Sequence, residues 1–311
     1  MKIYKGLEGY KKVRNPVVTV GTFDGVHIGH GKIFQRMAGI ARDCDGETVV
    51  ITFHPHPRLV VHPDSKDLKF INTQERKYDL IEKTGIDHLV IIPFTPEFAT
   101  TNASVFVKDI LVDKIGVKEL VVGYDHHFGK NRQGSFEELL QLAKKFDFQV
   151  EQIPVQDINN IAISSTKIRN ALKEGNIKTA NELLGYEYSI TGPVVEGNKI
   201  GRKIGFPTAN IELQDEYKLI MAIGVYACRV QWNGKIYLGM GNIGYRPTIN
   251  NSDLTIEVHI FDFDEKIYGD TITIFFVDRI RDEEKFKDLD ALREQLIRDR
   301  VSTKKVLGVG C

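Results

Sequence analysis

Between residues 16 and 153, short runs that are apolar from end to end alternate with stretches of helical spacing. "VVTVGTF", "TVVITF", "HLVIIPF" and "ELVVG" are rich in β-branched residues and show no polar alternation, so they read as strands buried on both faces. "HGKIFQRMAGIARDC", "RKYDLIEKTG", "SVFVKDILVDKIG" and "FEELLQLAKKF" stand between them with helical periodicity, and "FQVEQI" closes the series. Asn72 with Glu75, and Ser135 with Glu138, have the spacing of a helix N-cap and its N3 partner. Strands that are each followed by a helix imply a parallel sheet covered on both faces, with ligands bound beyond the carboxyl ends of the strands.

After a last helical patch, from 165 to about 185, the rhythm changes. "YSITGPVVEG", "GVYACRVQW", "KIYLGMGNIG", "LTIEVHIFDF" and "DTITIFFVDRI" follow one another without helices, joined by hairpin-like turns such as "WNGK". They predict a small antiparallel barrel. "DEEKFKDLDALREQLIRDR" sets Phe286, Leu289, Leu292 and Leu296 on one face of a C-terminal helix, and the chain beyond Arg300 is expected to fray. The fold class is therefore α/β plus β: a Rossmann-like parallel-sheet domain over 1–185 and a β-barrel domain over 186–311. At 311 residues the chain has room for both cores.

The 42 lysines and arginines balance 42 aspartates and glutamates, so the basic excess that grips a duplex or an anionic membrane is missing. No nucleic acid and no membrane is expected as a partner, and an anionic ligand should be small and held by local groups. The chain is expected as a monomer or weak oligomer. Cys44, Cys228 and Cys311 are odd in number and fit neither a disulfide framework nor a zinc site, which suits a reducing compartment. "MKIYKGLEGYKK" lacks the apolar core of a signal peptide, and the apolar runs are too short to span a bilayer. The expected location is the cytoplasm.

"GTFDGVHIGH" (21–30) carries the chemistry of the first half. The first strand ends there and a helix is expected to begin near His30. Gly21, Gly25, Gly29 and Gly31 let a ligand approach the backbone, the first-turn N–H groups attract anions, and His27 and His30 add donors aimed at the same place. This builds a triphosphate site without a Walker lysine, and no G-x-x-x-x-G-K-[ST] motif is present. The blander alternative is that His30 only caps its helix.

The stretch resembles the HxGH signature of the nucleotidyltransferases. With "TFHPHP" (52–57), "GYDHHFGKNRQG" (123–134), "ISSTKIR" (163–169), "GRKIGFPTANI" (201–211) and "IEVHIFDF…IYGD" (256–270), the whole chain resembles the bacterial bifunctional riboflavin kinase/FMN adenylyltransferase family. The resemblance implies that riboflavin and ATP give FMN, and that FMN and a second ATP give FAD and pyrophosphate, with Mg²⁺ as the metal. In the first half it implies His27 and His30 as electrophilic stabilisers of the phosphates. Gly21, Phe23 and Gly29 belong to the ATP turn. Ser164, Ser165, Thr166 and Arg169 form a second phosphate clamp at a capped helix start. Asp125 and Phe128 contact the flavin; family members often carry Phe where this chain has His126. Lys130 and Arg132 either meet phosphate or are solvated loop charges. His54 and His56 alternate with Pro55 and Pro57, which fix an extended exit that shapes a pocket wall.

In the second half the resemblance implies Glu257 as the base that takes the proton of the riboflavin alcohol, with Ile256 and Val258 on the opposite face of its strand. Thr208 and Asn210 are implied as Mg²⁺ ligands, and Arg202 and Gly205 as parts of a phosphate-hugging loop. Three rivals stand beside this reading. An aminoacyl-tRNA synthetase would share the literal "HIGH" at 27–30, but "ISSTKIR" stands where KMSKS would be expected. The others are a one-reaction adenylyltransferase whose barrel only binds flavin, and a flavin-responsive nucleic-acid regulator.

Overall fold

The computed structural model describes residues 1–64, 67–124, 135–154, 157–158, 161–247 and 252–309. They form two compact units, Met1–Ser165 and Thr166–Cys311.

The first unit runs β1 (Lys2–Lys5), β2 (Val17–Val20), α1 (Ile28–Asp43), β3 (Thr48–His54), α2 (Pro57–Val61), α3 (Gln74–Glu82), β4 (His88–Pro93), α4 (Pro96–Ala99) and α5 (Ala103–Val105). The last continues as a π-helix over Phe106–Ile115. Then come β5 (Glu119–Gly123), α6 (Phe136–Phe146), β6 (Gln149–Ile153) and a small antiparallel pair, β7 (Asp157–Ile158) with β8 (Ile161–Ala162). The main sheet has the order β1-β4-β3-β2-β5-β6 and is parallel throughout. Val18, Val20, Val49, Ile51, Val90, Ile92, Leu120 and Val122 join Val107, Ile110, Leu111 and Leu139 in one core, as apolar strands under helices require.

This order reverses direction at β2. From there the chain builds outward through β3 and β4 on one side, then through β5 and β6 on the other. The ladder between β2 and β3 reaches Val20, whereas that between β2 and β5 covers Val17 and Val18. The two strands thus part at their carboxyl ends, the place where open α/β sheets bind ligands. "GTFDGVHIGH" leaves β2 at that opening.

Local details differ from the sequence expectation. Thr73, not Asn72, caps α3, its Oγ1 accepting from Arg76 N at 3.3 Å. Ser135 caps α6 as expected, accepting from Glu138 N at 3.2 Å. The extended exit expected after β3 is brief, because Pro57 opens α2 and His56 caps it; a fixed φ and a missing N–H suit proline to a first helical turn. Strand β1 lacks an apolar signature because it is an edge strand, with Ile3 exposed.

Helix α7 (Ser165–Lys173) starts on the last residue of the first unit; the second unit carries the rest of it with α8 (Ile177–Leu184), β9 (Tyr188–Val195), α9 (Ile200–Lys203), β10 (Ala209–Ile211), β11 (Gly224–Trp232), β12 (Lys235–Pro247), β13 (Ser252–Ile260), β14 (Thr271–Arg281) and α10 (Leu289–Val306). Six strands close into an antiparallel barrel in the order β10-β13-β12-β11-β14-β9. The "WNGK" turn pairs Trp232 with Lys235, and Asn233 (φ 47°) and Gly234 (φ 76°) adopt the left-handed conformations such a two-residue hairpin needs.

The C-terminal helix departs from expectation twice. It is ordered to Val306 rather than frayed after Arg300, and Leu289 is exposed. Leu296 packs against Phe206, Met240 and Phe261 as an apolar face requires, but the fully buried residues of the helix are polar: Asp299, 2% exposed, receives Arg281 Nε and a terminal guanidinium nitrogen at 3.0 and 2.8 Å and Gln295 Nε2 at 2.8 Å. An ion pair on the barrel wall, invisible to a hydrophobic-face argument, anchors this helix. Among the described residues no helix is long and apolar enough to cross a membrane.

Candidate active sites

The turn after β2 is built from conformations that side chains rarely adopt. Phe23 (φ 50°), Gly25 (φ 87°) and Val26 (φ 39°) all have positive φ, and Phe23 and Val26 are buried. A β-branched residue there is a true outlier, and such strain is of order 1–3 kcal/mol per residue, tolerated where the surroundings over-determine it. Here they do. A Cβ on Gly21 would come within 2.9 Å of the Phe23 ring. Asp24 Oδ1 accepts from Ile71 N at 2.9 Å, and the Asp24 carbonyl accepts from Ser165 Oγ at 2.9 Å.

Helix α1 starts at Ile28, earlier than expected, and the capping residue is His27, not His30. His27 Nδ1 accepts from His30 N at 3.4 Å. That first-turn N–H is therefore spent on the cap rather than left for an anion. The cap also assigns the His27 tautomer: Nδ1 carries the lone pair, so in the neutral ring the proton sits on Nε2. The two imidazoles stack with centroids 3.6 Å apart and planes 14° from parallel. Gly29 permits this, since a Cβ there would sit 3.2 Å from His27 Nδ1 and Cε1. Phe23 packs edge-on against His30 at 5.2 Å. Burial, then the neighbouring His27 and Lys77, hold the His30 pKa well below the usual histidine range, so His30 is uncharged at neutral pH. His30 Nδ1 is buried without a hydrogen-bond partner among the described residues, which suits a side chain prepared for a ligand.

Sequence reasoning missed Lys77. It is 7% exposed and its ammonium donates to the Thr22 carbonyl at 3.4 Å and to Thr52 Oγ1 at 3.3 Å. Burial pushes its pKa down to about 8, while Asp24 opposes the shift. The signal was present: Lys77, Leu80 and Ile81 share the buried stripe of α3, so a lysine stood on an apolar face.

Ile163 and Ser165 lie against the same turn, Ile163 beside Gly29 and Ser165 on the Asp24 carbonyl. Ser165 is the first residue of α7 and Ser164 precedes it. Further along that helix Thr166 Oγ1 accepts from an Arg169 guanidinium nitrogen at 3.3 Å. Asp125 and Phe128, with His126, Lys130 and Arg132, lie outside the described residues.

On the barrel, β13 buries Ile256, Val258 and Ile260 and turns Glu257 to the other face, as its alternation requires. The short β10 pairs there with Asn210 opposite Glu257. Thr208 lies one residue before β10, and its hydroxyl donates to Glu257 Oε2 at 3.0 Å. A hydroxyl, a carboxamide and a carboxylate are thus gathered from residues 49 apart in the chain. The segment leading in holds Arg202 on α9, exposed, and Gly205 at φ 85°.

The FAD synthetase family model matches residues 10–167 and the riboflavin kinase model residues 184–307. A bifunctional riboflavin kinase/FMN adenylyltransferase of Listeria monocytogenes is 39% identical over 93% of this chain and 92% of its own. One from Buchnera aphidicola is 36% identical over 99% of both. Among solved structures, a macrolide-efflux protein from Streptococcus pneumoniae aligns with a TM-score of 0.89 at 33% identity, covering 97% of this chain and 98% of that one. A histidine pair at the opening of a parallel sheet and a Thr–Asn–Glu cluster on a closed barrel fall in separately matched segments, and the chain belongs to the bifunctional riboflavin kinase/FMN adenylyltransferase family.

Proposed function

We propose a division of labour in which residues 186–311 phosphorylate riboflavin to FMN with ATP, and residues 1–185 transfer AMP from a second ATP to FMN. The products are FAD and pyrophosphate. The matched segments end at 167 and resume at 184, so the proposed boundary falls two residues inside the riboflavin kinase match. Compactness alone divides the chain earlier, at Thr166, because α8 packs on β14 and β9. ATP is a substrate of both steps.

In the adenylyl transfer a phosphate oxygen of FMN attacks the α-phosphorus of ATP and the bond to pyrophosphate breaks. The nucleophile is already ionised, so the residues need only position it and stabilise charge on the departing oxygens. His27 donates from Nε2. His30, uncharged and stacked beneath it, presents its ring to the same space. An uncharged His30 fits a step in which no proton need be transferred. Gly21, Phe23 and Gly29 shape the turn around ATP, and Ser164, Ser165, Thr166 and Arg169 serve the outer phosphates. Asp125 and Phe128 keep their assignment to the flavin.

In the kinase step the riboflavin alcohol attacks the γ-phosphorus, its proton passes to Glu257 and ADP departs. Thr208 and Asn210 offer the hard oxygen donors that Mg²⁺ prefers. The close approach of the Thr208 hydroxyl to the Glu257 carboxylate supports their acting together. Bound there, Mg²⁺ would neutralise phosphate charge. Arg202 and Gly205 belong to the phosphate loop.

The observation that carries the reading is the capped, stacked His27–His30 pair at the sheet opening. The test is a product assay with riboflavin, ATP and Mg²⁺, resolved by chromatography. The parent protein should form FMN and then FAD. His27→Ala should accumulate FMN, and Glu257→Gln should convert supplied FMN to FAD while forming none from riboflavin. FMN formation by Glu257→Gln at the parent rate would remove the base assignment and favour a barrel that only binds flavin.

A further inference from the structure

Strand β13 turns a second polar side chain to the face that carries Glu257. His259 lies two residues on, and the register Asn210 opposite Glu257, Ala209 opposite Val258 would bring Thr208 level with it. The backbone ladder stops at Ala209. There the imidazole takes over, and His259 Nδ1–H donates to the Pro207 carbonyl at 2.8 Å. The ring is set edge-on between Phe206, at 5.2 Å and 63°, and Phe261, at 5.6 Å and 66°. The other end of the loop is fixed as well: Phe206 N donates to the Gly201 carbonyl at 2.8 Å, and a Cβ on Gly201 would collide with the Phe206 carbonyl. One peptide group beyond the Pro207 carbonyl, Thr208 Oγ1 meets Glu257.

We propose that His259 is a positioning residue for riboflavin phosphorylation, holding the Pro207 carbonyl so that the Thr208 hydroxyl and the Glu257 carboxylate stay in register. This rests on the kinase reading above. Burial lowers the pKa of the ring, the Pro207 bond opposes that, Arg300 lowers it further and Asp262 raises it; Nδ1 carries its proton in either charge state. The hydrogen bond, rather than the charge, does the positioning.

Two substitutions separate positioning from packing. His259→Phe keeps an aromatic ring between Phe206 and Phe261 but removes the donor. His259→Asn removes the ring but keeps an N–H close to the place of Nδ1. FMN formation is measured for kcat, for KM of ATP and for the Mg²⁺ concentration at half-maximal rate. FAD formation from supplied FMN on the same samples reports sound folding. Positioning predicts that His259→Phe loses 10- to 100-fold in kcat and needs more Mg²⁺, while His259→Asn retains most of the rate. A Phe variant at the parent rate, or an Asn variant no better than the Phe variant, overturns the proposal. Glu257→Gln run alongside keeps the two readings apart. If it is inactive while His259→Phe is unaffected, only the role of His259 fails; if it forms FMN normally, the kinase assignment beneath it fails.

Discussion

Replacing Lys77 by methionine should make the first unit easier to fold and worse at making FAD. The ammonium is almost wholly buried and its pKa falls from 10.5 to about 8. Each pH unit of such a fall is worth about 1.4 kcal/mol, so keeping this amine protonated opposes folding by roughly 3 kcal/mol at neutral pH. The folded pKa lies below the unfolded one, so that penalty is fully present below pH 8. It fades as pH rises from 8 to 10.5, where the unfolded chain holds the proton and the folded chain has released it. Methionine has no such penalty. The stability of Lys77→Met relative to the parent should therefore be most favourable near pH 7 and should decline by about 3 kcal/mol as pH approaches 10.5. Against it stand the lost hydrogen bonds to Thr22 and Thr52, worth about 1–3 kcal/mol at every pH. The sole tryptophan, Trp232, lies on the barrel, so fluorescence reports the wrong unit and calorimetry is the suitable assay. Without the ammonium the turn that presents His27 and His30 loses its tie to β3, and FAD formation should fall at least tenfold while FMN formation stays unchanged. Parallel stability curves for parent and variant between pH 7 and 10.5 would refute the electrostatic argument. FAD formation at the parent rate would refute the tie.

Two further substitutions test single contacts. Asp299→Ala leaves Arg281 half-buried without its carboxylate and should destabilise the barrel by about 3–5 kcal/mol, read by Trp232 fluorescence in urea; a loss under about 1 kcal/mol would mean that α10 is held by something else. Gly29→Ala adds a Cβ 3.2 Å from the His27 ring. It should slow FAD formation about tenfold by shifting that ring, with FMN formation intact and stability within about 1 kcal/mol, because alanine favours the helix; unchanged FAD kinetics would show that the stacking geometry is not needed.

Much of this protein is legible in one dimension because its strands differ in kind. Strands covered on both faces must be apolar throughout, so "VVTV", "TVVITF" and "ELVVG" declare a parallel sheet without any knowledge of partners. Barrel strands with turn residues between them declare their neighbours by adjacency, and the "WNGK" hairpin is where that reading is most direct. The histidine pair and Glu257 were visible by motif. Lys77 left only a trace, a lysine on the apolar face of α3, and His259 left none, since a histidine on a strand reads as surface until its surroundings are known.

What sequence by itself determined is local: which segments are strands or helices and where the chain turns. Only the tertiary structure decided that His27 rather than His30 caps α1, that a buried lysine lies under the turn, and that Thr208 and Glu257 touch across 49 residues of chain. The physical reason is range. Periodicity and capping act over a few residues, whereas desolvation and a hydrogen bond between strands depend on which distant segments the closed barrel and the sheet order bring together.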